Sequence, residues 1–145
     1  MIVRFAELKD IVNINEFYKD YQGESIKRFG AVFSRLQTAS TIQRLTEQGS
    51  VIIGEFEGKI IAGIAGLFSP CGMTQDIMFC SLLFYVQPDK RNHTKQFIKE
   101  VEILLKDKAT MFVIGIPADD GNKMERFFSM IGFDRLETNL YKRIK

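Results

Sequence analysis

The spacing of apolar residues changes twice along this chain. In the first third it is helical: Leu8, Ile11, Ile14, Tyr18 and Tyr21 recur on one face, as a 3.6-residue period requires. After a short strand over residues 2–6, this predicts a helix ending near Gln22 and Gly23. Ile26, Phe29, Phe33 and Leu36 predict a second helix over residues 25–37. Ser40 or Thr41 can cap a further short turn that carries Ile42 and Leu45 and closes at Gly49-Ser50. The middle third switches to runs of strand length. Residues 51–56 and 59–68 are joined at Glu57-Gly58, a tight-hairpin dipeptide. After a turn at residues 69–72, the longer apolar run 76–86 reads as a central strand with both faces covered. Pro88 ends that strand, because proline cannot donate within a paired ladder.

Helical spacing then returns. Phe97, Ile98, Val101, Leu104 and Leu105 line one face of an amphipathic helix. Residues 111–116 predict a strand ending at Pro117, and residues 118–122 form a loop rich in capping residues. Met124, Phe127, Phe128 and Ile131 line a last helix that Gly132 terminates. Residues 133–136 and 139–144 are two final strand candidates. The order β-α-α-β-β-β-α-β-α-β-β predicts one α/β domain over residues 1–145, with a mixed central sheet of about six to seven strands flanked by helices.

Composition narrows the function without choosing it. With 145 residues, 46% hydrophobic and 26% charged, the chain reads as one soluble globular domain. A formal charge of +2 and the lack of a long basic run give no track for nucleic acid. Cys71 and Cys80 have no histidine or second cysteine pair beside them, so neither a metal site nor a disulfide scaffold is expected. Reduced thiols in a cytoplasmic setting are expected instead, with no leader segment and no membrane-spanning run.

The most informative stretch runs from Phe84 to Lys99. A strand stops near Val86, a polar turn over residues 91–96 follows, and a helix opens directly from it. The first helical N–H groups lack intrahelical partners, and with the positive end of the helix dipole they form a seat for an anion such as a pyrophosphate. Lys90, Arg91 and Lys95 add positive charge there. An ordinary connection with solvated basic residues has the same local composition.

Val86-Gln-Pro-Asp-Lys-Arg91 resembles the Val-x-Pro-x-x-Arg approach to the acetyl-coenzyme A loop of GNAT N-acetyltransferases. Phe127-Phe-Ser-Met-Ile-Gly-Phe133 is similar to that superfamily's late helix and strand, and the order of elements agrees over nearly the whole chain. The resemblance implies an N-acetyltransferase that moves an acetyl group from acetyl-CoA to an amine of a small molecule, peptide or protein. It implies that the main chain of Phe84, Tyr85 and Val86 bonds the pantetheine arm as if it were a strand. The pyrophosphate would rest on Arg91, Asn92, His93, Thr94, Lys95 and Gln96. Two departures stand out: residues 92–96 contain no glycine, and Phe128 occupies the position where the family often places a tyrosine facing the sulfur.

For the proton transfers, Asp76 at the start of the long strand is the candidate base, with Glu55 and Glu57 as alternatives, and Tyr141 or Tyr85 is the candidate acid. His93, the only histidine, fits phosphate contact better than base chemistry. Cys80 and Ser81 read as small buried residues, since no third group orients a nucleophilic pair. The acceptor wall falls at residues 21–35 and 136–141, whose charges show no preference. A monomer or homodimer is expected. The rival reading is a catalytically inactive module of the same fold.

Overall fold

The computed structural model describes residues 1–25, 34–116 and 123–136. The chain divides into two compact units, Met1–Gly115 and Ile116–Lys145. The first carries a sheet of five strands in the order β1 (Ile2–Phe5), β2 (Val51–Phe56), β3 (Lys59–Pro70), β4 (Ile77–Val86) and β5 (Met111–Val113). The first four run antiparallel to their neighbours, and β5 lies parallel to β4. The sheet is therefore mixed, as the pattern predicts, with five strands among the described residues. Residues 133–136 form no strand, and 139–144 lie outside the described residues.

Side chains alternate across the pleat and give the sheet two different faces. On one, Val51, Ile53 and Ala65 pack with Ile14, Phe17 and Tyr18 of α1 (Ile11–Ser25) and Ile42 and Leu45 of α2 (Arg35–Glu47). On the other, Gly54 lies against Phe97 of α3 (Thr94–Leu105), so closely that an added Cβ would sit 2.9 Å from its ring. Phe97, Ile98, Val101 and Leu105 are all buried, as the spacing predicts. Among the described residues no helix is long and apolar enough to cross a membrane.

Local chemistry sets the boundaries. The second helix starts later than its apolar spacing predicts: Ser34 is its N-cap, its hydroxyl accepting from the Gln37 N–H at 3.2 Å. Ser40 and Thr41 lie inside that helix rather than at a cap of their own. The rest of the predicted span, residues 26–33, lies outside the described residues. At the other end Gly49 takes a positive φ, with its N–H on Thr46 O and the Ser50 N–H on Leu45 O. That pair of bonds is a Schellman stop. The Glu57-Gly58 hairpin forms where predicted, with both central residues at positive φ. Near β1, the Arg4 guanidinium forks onto both oxygens of Asp10 at 2.7 and 2.9 Å and also reaches Glu55. This holds the buried Asp10 carboxyl at about 2, well below the usual carboxylate range.

The second unit contains α4 (Lys123–Met130) and its stop. Gly132 has a positive φ, the Gly132 N–H donates to Ser129 O, and the Phe133 N–H donates to Phe128 O at 3.0 Å. Phe128 and Phe133 then meet edge-on at 5.2 Å. The Gly-Phe pair in the sequence thus has a local physical meaning: a Schellman cap with its hydrophobic contact across the turn.

Candidate functional site

β4 is the strand on which a site can be built, because its two neighbours treat it differently. β3 pairs with it over its whole length, from Pro70↔Ile77 to Ala62↔Val86. β5 pairs only at Met78↔Met111, Phe79↔Phe112 and Cys80↔Val113, and then leaves the ladder. The parting coincides with a β-bulge. Gly66 faces Ser81 and Ala65 faces Leu83, so Leu82 is an extra residue on β4. A bulge bends its strand and raises local twist. Gly66 allows it, since a Cβ there would lie 2.5 Å from the Cys80 carbonyl oxygen and 2.8 Å from the Phe79 ring. Just past the last pair, the Gly115 N–H donates to Ser81 Oγ at 3.1 Å. The result is a fork in the sense of the ladder: two parallel strands are paired at one end, and their pairing ends after Cys80↔Val113 while β4 runs on.

The chain leaves the open end of β4 under control. The Gln87 N–H donates to Ile61 O at 2.9 Å, and Pro88–His93 wind into a 3-10 helix that runs straight into α3. Sequence reading predicts an open polar turn here, but Pro88 supplies the fixed φ that favours a first helical position. Winding uses one of the N–H groups expected to face an anion, since Thr94 donates to Arg91 O, and just before it Lys90 donates to Gln87 O. His93 turns inward, its ring 5.0 Å from that of Phe56, and the Lys90 ammonium lies 5.9 Å over the same ring. Arg91, Asn92, Lys95 and Gln96 are exposed, while Thr94 is half-buried. Positive charge at this helix start is therefore displayed mainly by Arg91 and Lys95.

Phe84, Tyr85 and Val86 form the arm of the fork nearest that turn. Tyr85 faces α1, 5.2 Å from Phe17 and 5.5 Å from Tyr21, and Tyr18 completes the cluster. Gly63, opposite Tyr85, leaves room for Phe17 and Tyr18: a Cβ there would stand 2.9 Å from Phe17 and 3.0 Å from the Tyr18 hydroxyl. Burial pushes the Tyr18 phenol far up, and its hydroxyl has no hydrogen-bond partner among the described residues.

The predicted base is not brought to the fork. Asp76 lies at the opposite end of β4, where it accepts from Thr74 Oγ1 at 2.6 Å and from Thr110 Oγ1 at 2.9 Å. Those bonds lower its pKa. Five residues of strand separate it from Ser81, roughly 17 Å at the usual rise. Glu55 is engaged by Arg4, and Glu57 sits exposed in the hairpin turn. Tyr141 lies outside the described residues. β4 is only half-buried along much of its length, not covered on both faces as its apolar run predicts. No group of three or more His, Cys, Asp or Glu among the described residues is placed to hold a metal ion.

What sequence reading missed is the fork's mechanism: the Leu82 bulge, the close approach at Gly66, and the Ser81 bond. A glycine inside a strand pattern marks a bulge or a close backbone approach, so Gly66 was the available signal.

No protein-family model and no curated protein sequence matches this chain. Its architecture does match solved structures. A probable acetyltransferase superposes with a TM-score of 0.79 at 10% identity, over 100% of this chain and 99% of that one. A ribosomal-protein-alanine N-acetyltransferase from Brucella melitensis biovar Abortus 2308 gives 0.74 at 12% identity, covering 99% and 98%. AAC(6')-Iy in complex with the bisubstrate analogue CoA-S-monomethyl-acetylneamine gives 0.72 at 13% identity, covering 99% and 97%. The chain has the fold of the GNAT N-acetyltransferases.

Proposed function

We propose that this chain is an acetyl-CoA-dependent N-acetyltransferase whose acceptor is an amine of a small molecule, peptide or protein. The observation that carries the reading is the fork: β5 leaves β4 after Cys80↔Val113 while β4 continues to Val86. A gap between parallel strands suits an extended, amide-bearing guest that takes the place of a strand, as in other strand-addition sites. The same arrangement opens toward the positive start of α3, where an anion is favoured. The structural neighbours, one of them bound to a CoA-linked analogue, support acetyl transfer as the chemistry of this fold.

When bound, acetyl-CoA supplies a thioester-activated acetyl group that an amine can take with release of a thiol. The main chain of Phe84, Tyr85 and Val86 would hold the pantetheine arm. Arg91 and Lys95 would hold the pyrophosphate through their side chains, with Asn92, Thr94 and Gln96 beside them and His93 supporting the turn from Phe56. Side-chain binding of this kind fits a turn that lacks glycine and has its Lys90 and Thr94 N–H groups engaged. Tyr85, on the arm of the fork, is one candidate proton donor in this reading, and Tyr141 is the other. A thiol of pKa near ~8.5 leaves as thiolate without a strong acid. An amine that sheds its proton to solvent needs no dedicated base, which accommodates an Asp76 remote from the fork. Residues 1–145 act in this reading as one acetyltransferase domain with no nucleic-acid partner, as a monomer or homodimer.

Titration calorimetry with acetyl-CoA tests the proposal. Saturable binding is expected, and no heat at millimolar ligand refutes a working transferase. The wound turn favours one rival, a non-catalytic module of the same fold; binding without turnover across a panel of amines would select it.

A further inference from the structure

We infer that Ser81 is a positioning residue that sets the opening of the fork by holding β5 away from β4 through its side chain. The inference rests on the acetyl-CoA reading for its consequence, but its structural part stands alone. Up to Cys80↔Val113 the two strands are joined by main-chain bonds. In a continuing parallel ladder, the next β5 N–H groups would find β4 carbonyls. Here the Gly115 N–H donates to Ser81 Oγ at 3.1 Å instead. A side-chain hydroxyl is the acceptor where a continuing ladder would use a carbonyl. The polar group of Gly115 stays satisfied while the ladder ends.

Two features tie this bond to the opening. Ser81 directly precedes Leu82, the extra residue of the bulge, so the bend toward β3 and the clamp toward β5 occupy consecutive positions. Ser81 is also the only aliphatic hydroxyl in the run Ile77–Val86, which is otherwise apolar apart from Tyr85. The bulge turns β4 aside, and the hydroxyl fixes how far β5 stands off. A guest that pairs with β4 beyond Ser81 meets a β5 end whose stand-off is set before it arrives.

The test uses the full chain and three substitutions. Ser81→Ala removes the hydroxyl, Ser81→Thr keeps it, and Ser81→Val has the shape of threonine without it. Exchange of the Gly115 amide with water, measured by NMR without ligand, should accelerate about three- to ten-fold in the alanine and valine variants and stay within about two-fold of wild type in threonine. Acetyl-CoA affinity should follow the same order, falling about three- to ten-fold in alanine and valine and recovering in threonine. Unchanged Gly115 exchange in both alanine and valine overturns the clamp. Faster exchange with unchanged affinity also overturns it, since the opening is then set by the bulge alone. If alanine does not fold, the threonine–valine pair decides by the same criteria. A wild-type chain that binds no acetyl-CoA defeats the proposed function instead, and the exchange pattern alone then decides the clamp.

Discussion

The two ends of β4 belong to one ten-residue strand, yet they are built in opposite ways. At the N-terminal end β3 and β5 both pair with it, and Asp76 is fastened to Thr74 and Thr110 across the strand start. At the C-terminal end the described residues show no β5 pairing, a bulge bends the strand, and a 3-10 turn leads into a helix start with Arg91 and Lys95 outside. The closed end fixes the sheet, and the other end is where the proposed strand-like guest would lie. Chemistry-bearing residues have to be judged by which end they occupy. Asp76 looks catalytic by residue type and belongs to the closed end; Ser81 looks like filler and sits at the parting.

The most severe way to break this contrast is at the bulge. Gly66→Ala puts a Cβ against the backbone oxygen of Cys80 and the Phe79 ring, and backbone cannot rotate aside. A loss of about 3 kcal/mol in unfolding free energy by denaturant titration is expected. A loss below about 1 kcal/mol would show that the close approach at the fork is dispensable. The next largest effect sharpens the open end. Arg91→Ala should weaken acetyl-CoA binding by roughly 1.5–3 kcal/mol, the scale of a hydrogen bond to a charged group, with little change in stability. His93→Ala should cost packing on Phe56 and leave affinity nearly intact. Intact affinity in the first with lost activity in the second would replace the phosphate role with histidine chemistry.

Much of this architecture is legible in the residues. Glu57-Gly58, Gly132-Phe133 and the stripe from Phe97 to Leu105 act locally, so turn chemistry and helical period reveal them. The start of α2 was not legible, because Ser34 competes with Ser40 and Thr41 and only packing of Ile42 and Leu45 settles which one caps. The fork was least legible. It depends on a register shift between β3 and β4 and on a bond from Ser81 to a residue 34 positions away, and apolar patterning carries no record of register at that resolution. The resemblance pointed to β4, while the physical device within it had to be seen.

A smaller effect tests the support under the open arm. Tyr18 lies beneath Gly63, which pairs with Tyr85, and its buried hydroxyl has no hydrogen-bond partner among the described residues. Removing a buried, unsatisfied hydroxyl while keeping the ring should be neutral to favourable. Tyr18→Phe should therefore raise the unfolding free energy by about 1 kcal/mol, read from denaturant or thermal curves. A loss of about 1 kcal/mol or more would mean that the hydroxyl is satisfied in solution and anchors the arm.

The smallest expected effect is at the closed end and decides the role of Asp76. Hydrogen bonds from Thr74 and then Thr110 lower its pKa in the folded chain. A lowered folded pKa contributes stability that is present above the unfolded value, near ~3.9, and is lost as pH falls through the folded value. Asp76→Asn keeps an acceptor for one threonine and removes the charge. The variant should show a shallower loss of stability with falling pH below about 4, and a slightly lower stability near neutral pH, where the charged carboxylate contributes in wild type. Its acetyl-CoA affinity and turnover should match wild type, because the carboxylate lies at the wrong end of the strand. A general base contributes typically 100-fold or more. A drop of that size in turnover with acetyl-CoA affinity intact, together with loss of the acidic limb of the wild-type pH–rate profile, would return Asp76 to the chemistry and erase the distinction between the two ends.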